Sequence, residues 1–263
     1  MKKHTEISIV KSLISVLFLF YSTQNVAEQG KKIVSLDLCT DWMLLKYASQ
    51  SQSIIYSPLL YRYKVDWVPD NLPVHDGSLE QILELNPDLI MTGEFNATLL
   101  TKRLKQLGIK TEIMPLPLKL RSIINYTNKF KSLVQTQKLP DLPLSLKSYE
   151  LNGMKLLILG PNGIGTGTGT LENDIISKSG WINYIKATGF VSLDLERLAI
   201  DAPNAVLWSR PVSNSLANLF ARHRVLKEII INRKVNINDS WRWQCPGPWT
   251  FDLITELAAW KKH

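Results

Sequence analysis

A short sequence unit that occurs twice is the feature that most constrains how this chain can fold. The first copy covers residues 79–91 and the second covers residues 195–207. Each copy opens with Leu-Glu, continues with apolar side chains at helical spacing, and places a proline seven residues after the glutamate. This pattern predicts a short helix that the proline ends, followed by an apolar run typical of a buried strand. The recurrence favours two similar lobes, with chance or a common helix–strand pattern as the alternative.

Strand and helix patterns alternate along the rest of the chain. This alternation predicts an α/β fold with largely parallel sheets. The predicted strands of the first lobe include 31–36, 54–57, 89–91 and 110–115, and the second lobe begins with 155–159.

The same patterns divide the chain into segments. The predicted N-terminal lobe covers 28–117, a helix and its Pro-containing connection cover 118–150, and the C-terminal lobe covers 151–263. The first helix is expected to begin near Trp42, with Thr40 or Asp41 as its N-cap.

Residues 1–27 have the pattern of a secretory signal peptide. Lys2 and Lys3 form a basic start, and a mostly apolar stretch from residue 7 to residue 20 follows. Polar residues interrupt this stretch, which is too short for a membrane span. The sequence therefore predicts cleavage near Ala27 and export of the remaining chain.

The charge of the chain is basic but dispersed. The formal net charge of +8 comes from 31 Lys and Arg against 23 Asp and Glu. The basic residues form no cluster, a distribution that is more often solubilising than nucleic-acid-binding. Nucleic acid is therefore not a predicted partner, although a basic surface can favour an anionic ligand.

A glycine-rich loop at 160–170 stands between a predicted strand and a predicted helix. Thr166, Gly167 and Thr168 lie near its centre. Backbone amides before a helix can bind phosphate, but the loop has neither the Walker nor the Rossmann spacing. A flexible strand-to-helix turn is one interpretation. We favour the other, in which the backbone approaches a ligand closely.

Tryptophans mark a second candidate binding segment near the C-terminus. Trp241, Trp243 and Trp249 fall within nine residues of a Pro- and Gly-containing stretch. At least one is expected in the core, and a stacking surface for a planar or apolar ligand accounts for the others. Trp42, Tyr56 and Tyr61 are matching candidates in the first lobe.

Motifs for catalysis and for metal ligation are missing from the sequence. The chain has four His and two Cys, with no His-x-x-x-His or Cys-x-x-Cys pair. It also lacks a nucleophile elbow and a Cys–His signature. The sequence thus predicts no catalytic residue, no cofactor and no protein-bound metal, and it favours a ligand that carries its own chelator.

Together these segments resemble the class III periplasmic binding proteins, which serve ABC importers of vitamin B12, haem and ferric siderophores. The resemblance rests on the two Leu-Glu units, Asn-Pro-Asp-Leu-Ile at 86–90, Leu-Gly-Ile at 107–109 and the helix between the lobes. It covers residues from about 32 to the C-terminus. It implies two Rossmann-like lobes joined by a single linking helix, a ligand cleft between them, and a periplasmic monomer without catalytic activity.

The resemblance also implies a ligand, a partner and the residues that contact each. The expected ligand is a small-molecule metal chelate, and the expected partner is the permease of an ABC importer. Glu80 and Glu196 occupy equivalent places in the repeats and are the expected permease contacts. The expected ligand contacts follow strand ends and are Cys39, Thr40, Asp41, Trp42, Tyr61, His75, Gly93, Glu94, Phe95, Thr166, Gly167, Thr168, Arg210 and Trp243.

The two cysteines, Cys39 and Cys245, are predicted to form a disulfide. An even count in an exported protein favours pairing, because the compartment is oxidising. Two free thiols that face a metal-bearing ligand are one alternative, and two buried inert thiols are another.

Two other functions stay open at the level of sequence. A periplasmic ligand sensor or metallochaperone would share the fold without meeting a transporter. Less favoured is an α/β enzyme that uses the glycine-rich loop for a phosphorylated small molecule.

Overall fold

The computed structural model describes residues 30–143, 148–151, 153–210, 219–220, 223–231, 234–239 and 241–260. The predicted signal peptide, residues 1–27, lies outside the described residues. Within those ranges, no helix combines the length and the apolar character that crossing a membrane requires.

A four-stranded sheet forms the centre of the first lobe. Its strands are β1 (Lys32–Ser35), β2 (Ser53–Ile55), β3 (Leu89–Gly93) and β4 (Thr111–Met114). They lie in the order β2-β1-β3-β4, and every pairing is parallel. Val34 and Ile90, on the two inner strands, are fully buried, as expected for apolar runs in a parallel sheet.

The first helix of this lobe begins earlier than the sequence predicts. The helices are α1 (Leu38–Tyr47), α2 (Leu59–Arg62), α3 (Leu79–Glu84), α4 (Thr98–Gln106) and α5 (Leu120–Leu133). Asp37 caps α1, because its carboxylate accepts a hydrogen bond from the Thr40 N–H at 3.0 Å. The assignment of Thr40 or Asp41 as the cap is therefore wrong.

The second lobe has a larger, mixed sheet. Its strands are β5 (Lys155–Leu159), β6 (Ile164–Thr166), β7 (Ile182–Asn183), β8 (Phe190–Ser192), β9 (Ala205–Arg210) and β10 (Lys234–Asp239). The order is β10-β9-β5-β6-β8, and β7 also pairs with β5. β6 runs antiparallel to both β5 and β8, whereas β5, β7, β9 and β10 pair in parallel. The predicted class, α/β with mainly parallel sheets, is confirmed.

Five α-helices of the second lobe lie within the described residues. They are α6 (Leu171–Lys178), α7 (Leu195–Ile200), α8 (Arg224–Ile231), α9 (Trp241–Gln244) and α10 (Thr250–Trp260).

The two copies of the repeated unit adopt the same structure at equivalent places. In the first copy α3 leads to β3, and in the second α7 leads to β9. Ser78 caps α3 and Asp194 caps α7, each by accepting backbone N–H hydrogen bonds. Ile82 and Leu198, at matching positions, are both buried. Each strand then lies inside its sheet, so the repeated unit provides a core strand in each lobe.

The helix α5 contributes side chains to the cores of both lobes. Tyr126 and Phe130 belong to the first-lobe core, and Leu120 and Ile123 belong to the second-lobe core. That α5 is the single link stays a prediction, because residues 144–147 and 152 of the following connection lie outside the described residues.

Residues 241–249, here called the return segment, pack back onto the first lobe. Trp241 and Trp249 pack with the first-lobe core, whereas Trp243 belongs to the second-lobe core. The Trp241 ring lies edge-on to Trp42, with centroids 5.6 Å apart. A disulfide joins Cys245 to Cys39, with a Cα–Cα distance of 5.0 Å.

Loss of this disulfide is expected to lower the free energy of unfolding by about 5 kcal/mol, because the bridge closes a long loop and restricts the unfolded chain. Chemical denaturation of a variant with both Cys39→Ser and Cys245→Ser measures the effect. Reduced wild-type protein should have the same free energy of unfolding as the variant. Two titratable thiols in unreduced, unfolded protein would contradict the disulfide.

Candidate ligand-binding cleft

A cavity of about 610 Å³ lies between the two lobes. The loop after β4, the loops of the second lobe and the return segment all contribute to its wall. Its wall residues include Leu116, Leu118, Thr166, Glu172, Phe190 and Trp243.

A smaller pocket of about 50 Å³ adjoins this cavity on the first-lobe side. Leu116, Pro117 and Pro246 line both spaces, so the two form one cleft. The other residues of the smaller pocket include Asp37, Cys39, Gly93, Glu94, Phe95 and Asn96.

The cleft lies at the carboxyl ends of parallel strands. Asp37 follows β1, Gly93 ends β3, and Leu116 follows β4. Ser209, near the end of β9, lines the main cavity from the second lobe. Open α/β sheets bind ligands at this edge, because successive loops leave a crevice there.

Some of the predicted ligand contacts do line this cleft. They are Cys39, Gly93, Glu94, Phe95, Thr166 and Trp243. Phe95 is 72% exposed, whereas Trp243 is only 7% exposed because it also packs in the second-lobe core. Trp243 therefore has a structural role in addition to its place in the wall.

Thr40, Asp41 and Trp42 line neither cavity, so their role as ligand contacts stays a prediction that the cleft does not support. All three are fully buried. Thr40 donates to the Asp37 carbonyl at 2.8 Å, and Asp41 accepts from the Ser57 N–H at 3.0 Å. The physical reason is that α1 packs against β1, β3 and α2, so its side chains are covered from Thr40, within its first turn, onward.

His75 and Tyr61 make hydrogen bonds within the protein, and their role as ligand contacts stays a prediction. His75 Nε2 lies 2.8 Å from the Ser35 carbonyl, and its Nδ1 accepts from the Gly77 N–H at 2.9 Å. Burial lowers the pKa of this imidazole. The hydroxyl of Tyr61 accepts from the Leu72 N–H. Neither residue lines the cleft.

Much of the glycine-rich loop lines the main cavity, but the backbone at its centre is hydrogen-bonded to protein. The Gly167 N–H donates to Gly189 at 2.8 Å, and the Thr168 N–H donates to Ala187 at 2.9 Å. A Cβ on Gly167 would lie 1.8 Å from the Ala187 carbonyl oxygen, so this glycine permits close approach to Ala187. Gly167 and Thr168 do not line the cleft, and their amides are not available to cradle a phosphate.

The remaining predicted residues lie at strand and helix ends. Arg210 ends β9, where its backbone pairs with Asp239, and its side chain lies outside what the structure describes. Glu80 and Glu196 are exposed in the first turns of α3 and α7. Their roles stay predictions.

Sequence reasoning missed several residues of the wall. Leu118 and Phe190 are 56% and 65% exposed, although both are apolar. Glu172 lies at the start of α6 and reaches the main cavity. The Pro-Leu alternation at 115–118 and the Gly-Phe pair at 189–190 were available signals, since apolar residues in turns are often exposed.

Burial sets the electrostatics of the cleft. It raises the pKa of Glu172, although hydrogen bonds from Thr170 and from the Glu172 backbone act in the opposite direction. It also raises the pKa of Asp37, despite hydrogen bonds from Thr40 and Asn96. Glu172 and Asp37 are therefore held in surroundings that disfavour their charge.

Two buried polar atoms of the wall residues have no hydrogen-bond partner among the described residues. They are the Thr166 hydroxyl and the Trp243 indole N–H. Within the same ranges, no group of three or more His, Cys, Asp or Glu side chains is arranged to hold a metal ion. With apolar side chains from both lobes, the arrangement is suited to binding a mostly apolar ligand that offers a few polar groups.

No family model matches this chain, and no curated protein matches it by sequence. Solved structures do match it by fold. One is a periplasmic solute-binding protein of Staphylococcus epidermidis, described as possibly iron-binding, with 14% identity, a TM-score of 0.61, and coverage of 88% of this chain and 98% of that one. The vitamin B12-binding protein BtuF of Vibrio cholerae has 17% identity, a TM-score of 0.58, and coverage of 89% and 97%.

A periplasmic haem-binding protein from Pseudomonas aeruginosa gives a similar match, with 15% identity, a TM-score of 0.58, and coverage of 87% and 91%. These likenesses span nearly the whole of both chains. The protein therefore has the two-lobed α/β fold of the class III periplasmic binding proteins, as the sequence predicts.

Asp41 is expected to make the stability of the first lobe depend on pH. Burial raises the pKa of Asp41 to about 7, from an ordinary value of 3.8. The folded state then holds a proton that the unfolded chain releases, so stability falls as pH rises through this window. Asp41→Asn should remove this contribution, since an amide can still hydrogen-bond to Ser57.

The measurement is urea denaturation of wild type and Asp41→Asn between about pH 5 and pH 8. The free energy of unfolding of the wild type, relative to the variant, should decline by on the order of 2 kcal/mol over this range. A difference that stays constant with pH would show that Asp41 does not titrate there.

Proposed function

We propose that this protein captures a metal chelate in the periplasm and, acting as a monomer, delivers it to the permease of an ABC importer. The observation that carries the proposal is the cavity of about 610 Å³, whose wall comes from both lobes and the return segment. This size and this apolar wall are typical of a small-molecule site. Solved proteins with the same fold are described as binding haem or vitamin B12, and one as possibly binding iron.

The exposed apolar side chains of the cleft support a bulky, partly apolar ligand. Phe95 and Leu118 come from the first lobe and Phe190 comes from the second, and all three are exposed. Exposed apolar groups gathered in a cleft mark a binding surface, because leaving them in water costs free energy. A chelate with an apolar periphery would cover them.

Binding is expected to quench tryptophan fluorescence, because Trp243 lies in the cavity wall. The titration uses haemin, cyanocobalamin and a ferric hydroxamate siderophore. The added compound is expected to remain chemically unchanged. Trp243→Phe should reduce the quenching while keeping most of the packing. Chemical conversion of the compound would favour an enzyme, and no binding of any of the three would count against a chelate carrier.

Permease docking is proposed for Glu80 and Glu196. Both are exposed, and both follow the capping residue of the helix in their copy of the repeat by two positions. Their equivalence gives each lobe one acidic contact at the same place. Paired basic residues on a permease would complement such contacts and orient the two lobes.

Uptake is expected to be abolished by combining Glu80→Lys with Glu196→Lys, since both contacts would become repulsive, whereas ligand affinity should be unchanged. The measurement is radiolabelled ligand uptake in cells together with a binding titration on purified protein. A variant with Asp66→Lys and Glu84→Lys has the same change in charge at other exposed positions and is the matched control. Normal uptake with the Glu80/Glu196 variant would exclude these residues as docking contacts. The same result is expected if the protein is a sensor, because uptake would then not depend on it.

A further inference from the structure

We propose that Glu172 selects the ligand, and that the cleft takes a neutral or positively charged metal chelate in preference to an anionic one. The inference rests on the proposed function and narrows its substrate class. This preference is the opposite of what the basic net charge of the chain, +8, would suggest.

The charged side chains that line the cleft are acidic. Glu172 lines the main cavity, and Glu94 and Asp37 line the smaller pocket. Among the side chains that the structure describes, no Lys, Arg or His lines either space. Exposed charges farther from the cleft than the Debye length, about 8 Å at physiological ionic strength, are largely screened, so the described wall residues have the larger effect on a bound ligand.

Glu172 is the acidic group placed to act on the bound ligand. It follows the cap of α6, Thr170, by two residues, and its side chain is half-buried in the wall of the main cavity. Within the described part of the chain it forms no salt bridge. Burial raises its pKa despite hydrogen bonds from Thr170 and from its own backbone N–H, so these bonds compensate its charge only in part.

Two polar atoms in the same cavity wall lack hydrogen-bond partners among the described residues. Thr166 lines the same cavity, is 6% exposed, and has a hydroxyl without a hydrogen-bond partner among the described residues. Trp243, 7% exposed, has an unpartnered indole N–H in the same wall. Buried polar groups are normally satisfied, so this wall is suited to a ligand that offers hydrogen-bonding groups of its own.

The chemistry of this wall discriminates between chelates by charge. An ammonium or N–H group on the ligand would give Glu172 a cationic or hydrogen-bonding partner from outside the protein, in an apolar cleft where charge interactions are stronger than in water. A ligand carboxylate or catecholate at the same place would meet a like charge, which disfavours binding. The apolar remainder of the wall would accept either ligand equally well.

The test measures dissociation constants of the full exported chain for three ferric siderophores of similar size. The probes are ferrioxamine B, a cationic trihydroxamate, ferrichrome, a neutral trihydroxamate, and ferric enterobactin, an anionic tricatecholate. Wild-type protein should bind ferrioxamine B at least about tenfold more tightly than ferric enterobactin. Equal or tighter binding of the anionic complex would overturn the inference while leaving the proposed function intact.

Variants of Glu172 test whether its carboxylate causes the preference for the cationic chelate. Glu172→Gln should weaken ferrioxamine B binding about tenfold and leave ferrichrome within about twofold. Glu172→Asp keeps the charge and should keep the preference, which covers the case in which the glutamine variant fails to fold. Glu84→Gln, an exposed carboxylate on α3, should change neither value.

The two ways of failing are distinguishable. An unchanged preference in Glu172→Gln would overturn the role of Glu172. Absence of binding by any of the three siderophores, and by haemin and cyanocobalamin, would instead count against the proposed function itself.

Discussion

The packing of the return segment against α1 is the interaction on which the cleft depends. Cys245 is bonded to Cys39, and Trp249 stacks on Tyr47 with ring centroids 6.0 Å apart. Trp243, two residues before Cys245, remains in the core of the second lobe. One short segment therefore contributes to the wall of the main cavity and to the smaller pocket, and it ties the two lobes together at the point where the ligand would lie.

The fold was predictable where its signals are local. Each copy of the repeated unit directly follows its own capping residue and contains its own helix-ending proline and apolar strand, so a few residues suffice to define helix and strand. The antiparallel strands β6 and β8 were not predictable in this way. β6 lies within the glycine-rich loop, and its pairing with β8 is decided by contacts with residues far along the chain.

The site was predictable to the level of loops but not of side chains. Strand ends indicate which loops reach the cleft, and Cys39 and Gly93 follow from that rule. The rule does not say how soon the following helix becomes enclosed, and Trp42, only three residues after Cys39, is already fully buried. The three late tryptophans show the same limit, because residue type alone does not decide between the core of one lobe, the core of the other and the cavity wall.

The two sides of the cleft differ in how completely the protein itself builds them. On the second-lobe side, the loop after β6 is held by hydrogen bonds to Gly189 and Ala187, and glycine is required at position 167 by a protein contact. On the first-lobe side, Phe95 is 72% exposed and has little cover from the protein. Burying apolar surface contributes roughly 25 cal/mol per Å². Phe190, on the second-lobe side, is likewise 65% exposed. A ligand that touches both sides would therefore gain apolar contact from each, and orientation from the preformed loops of the second lobe.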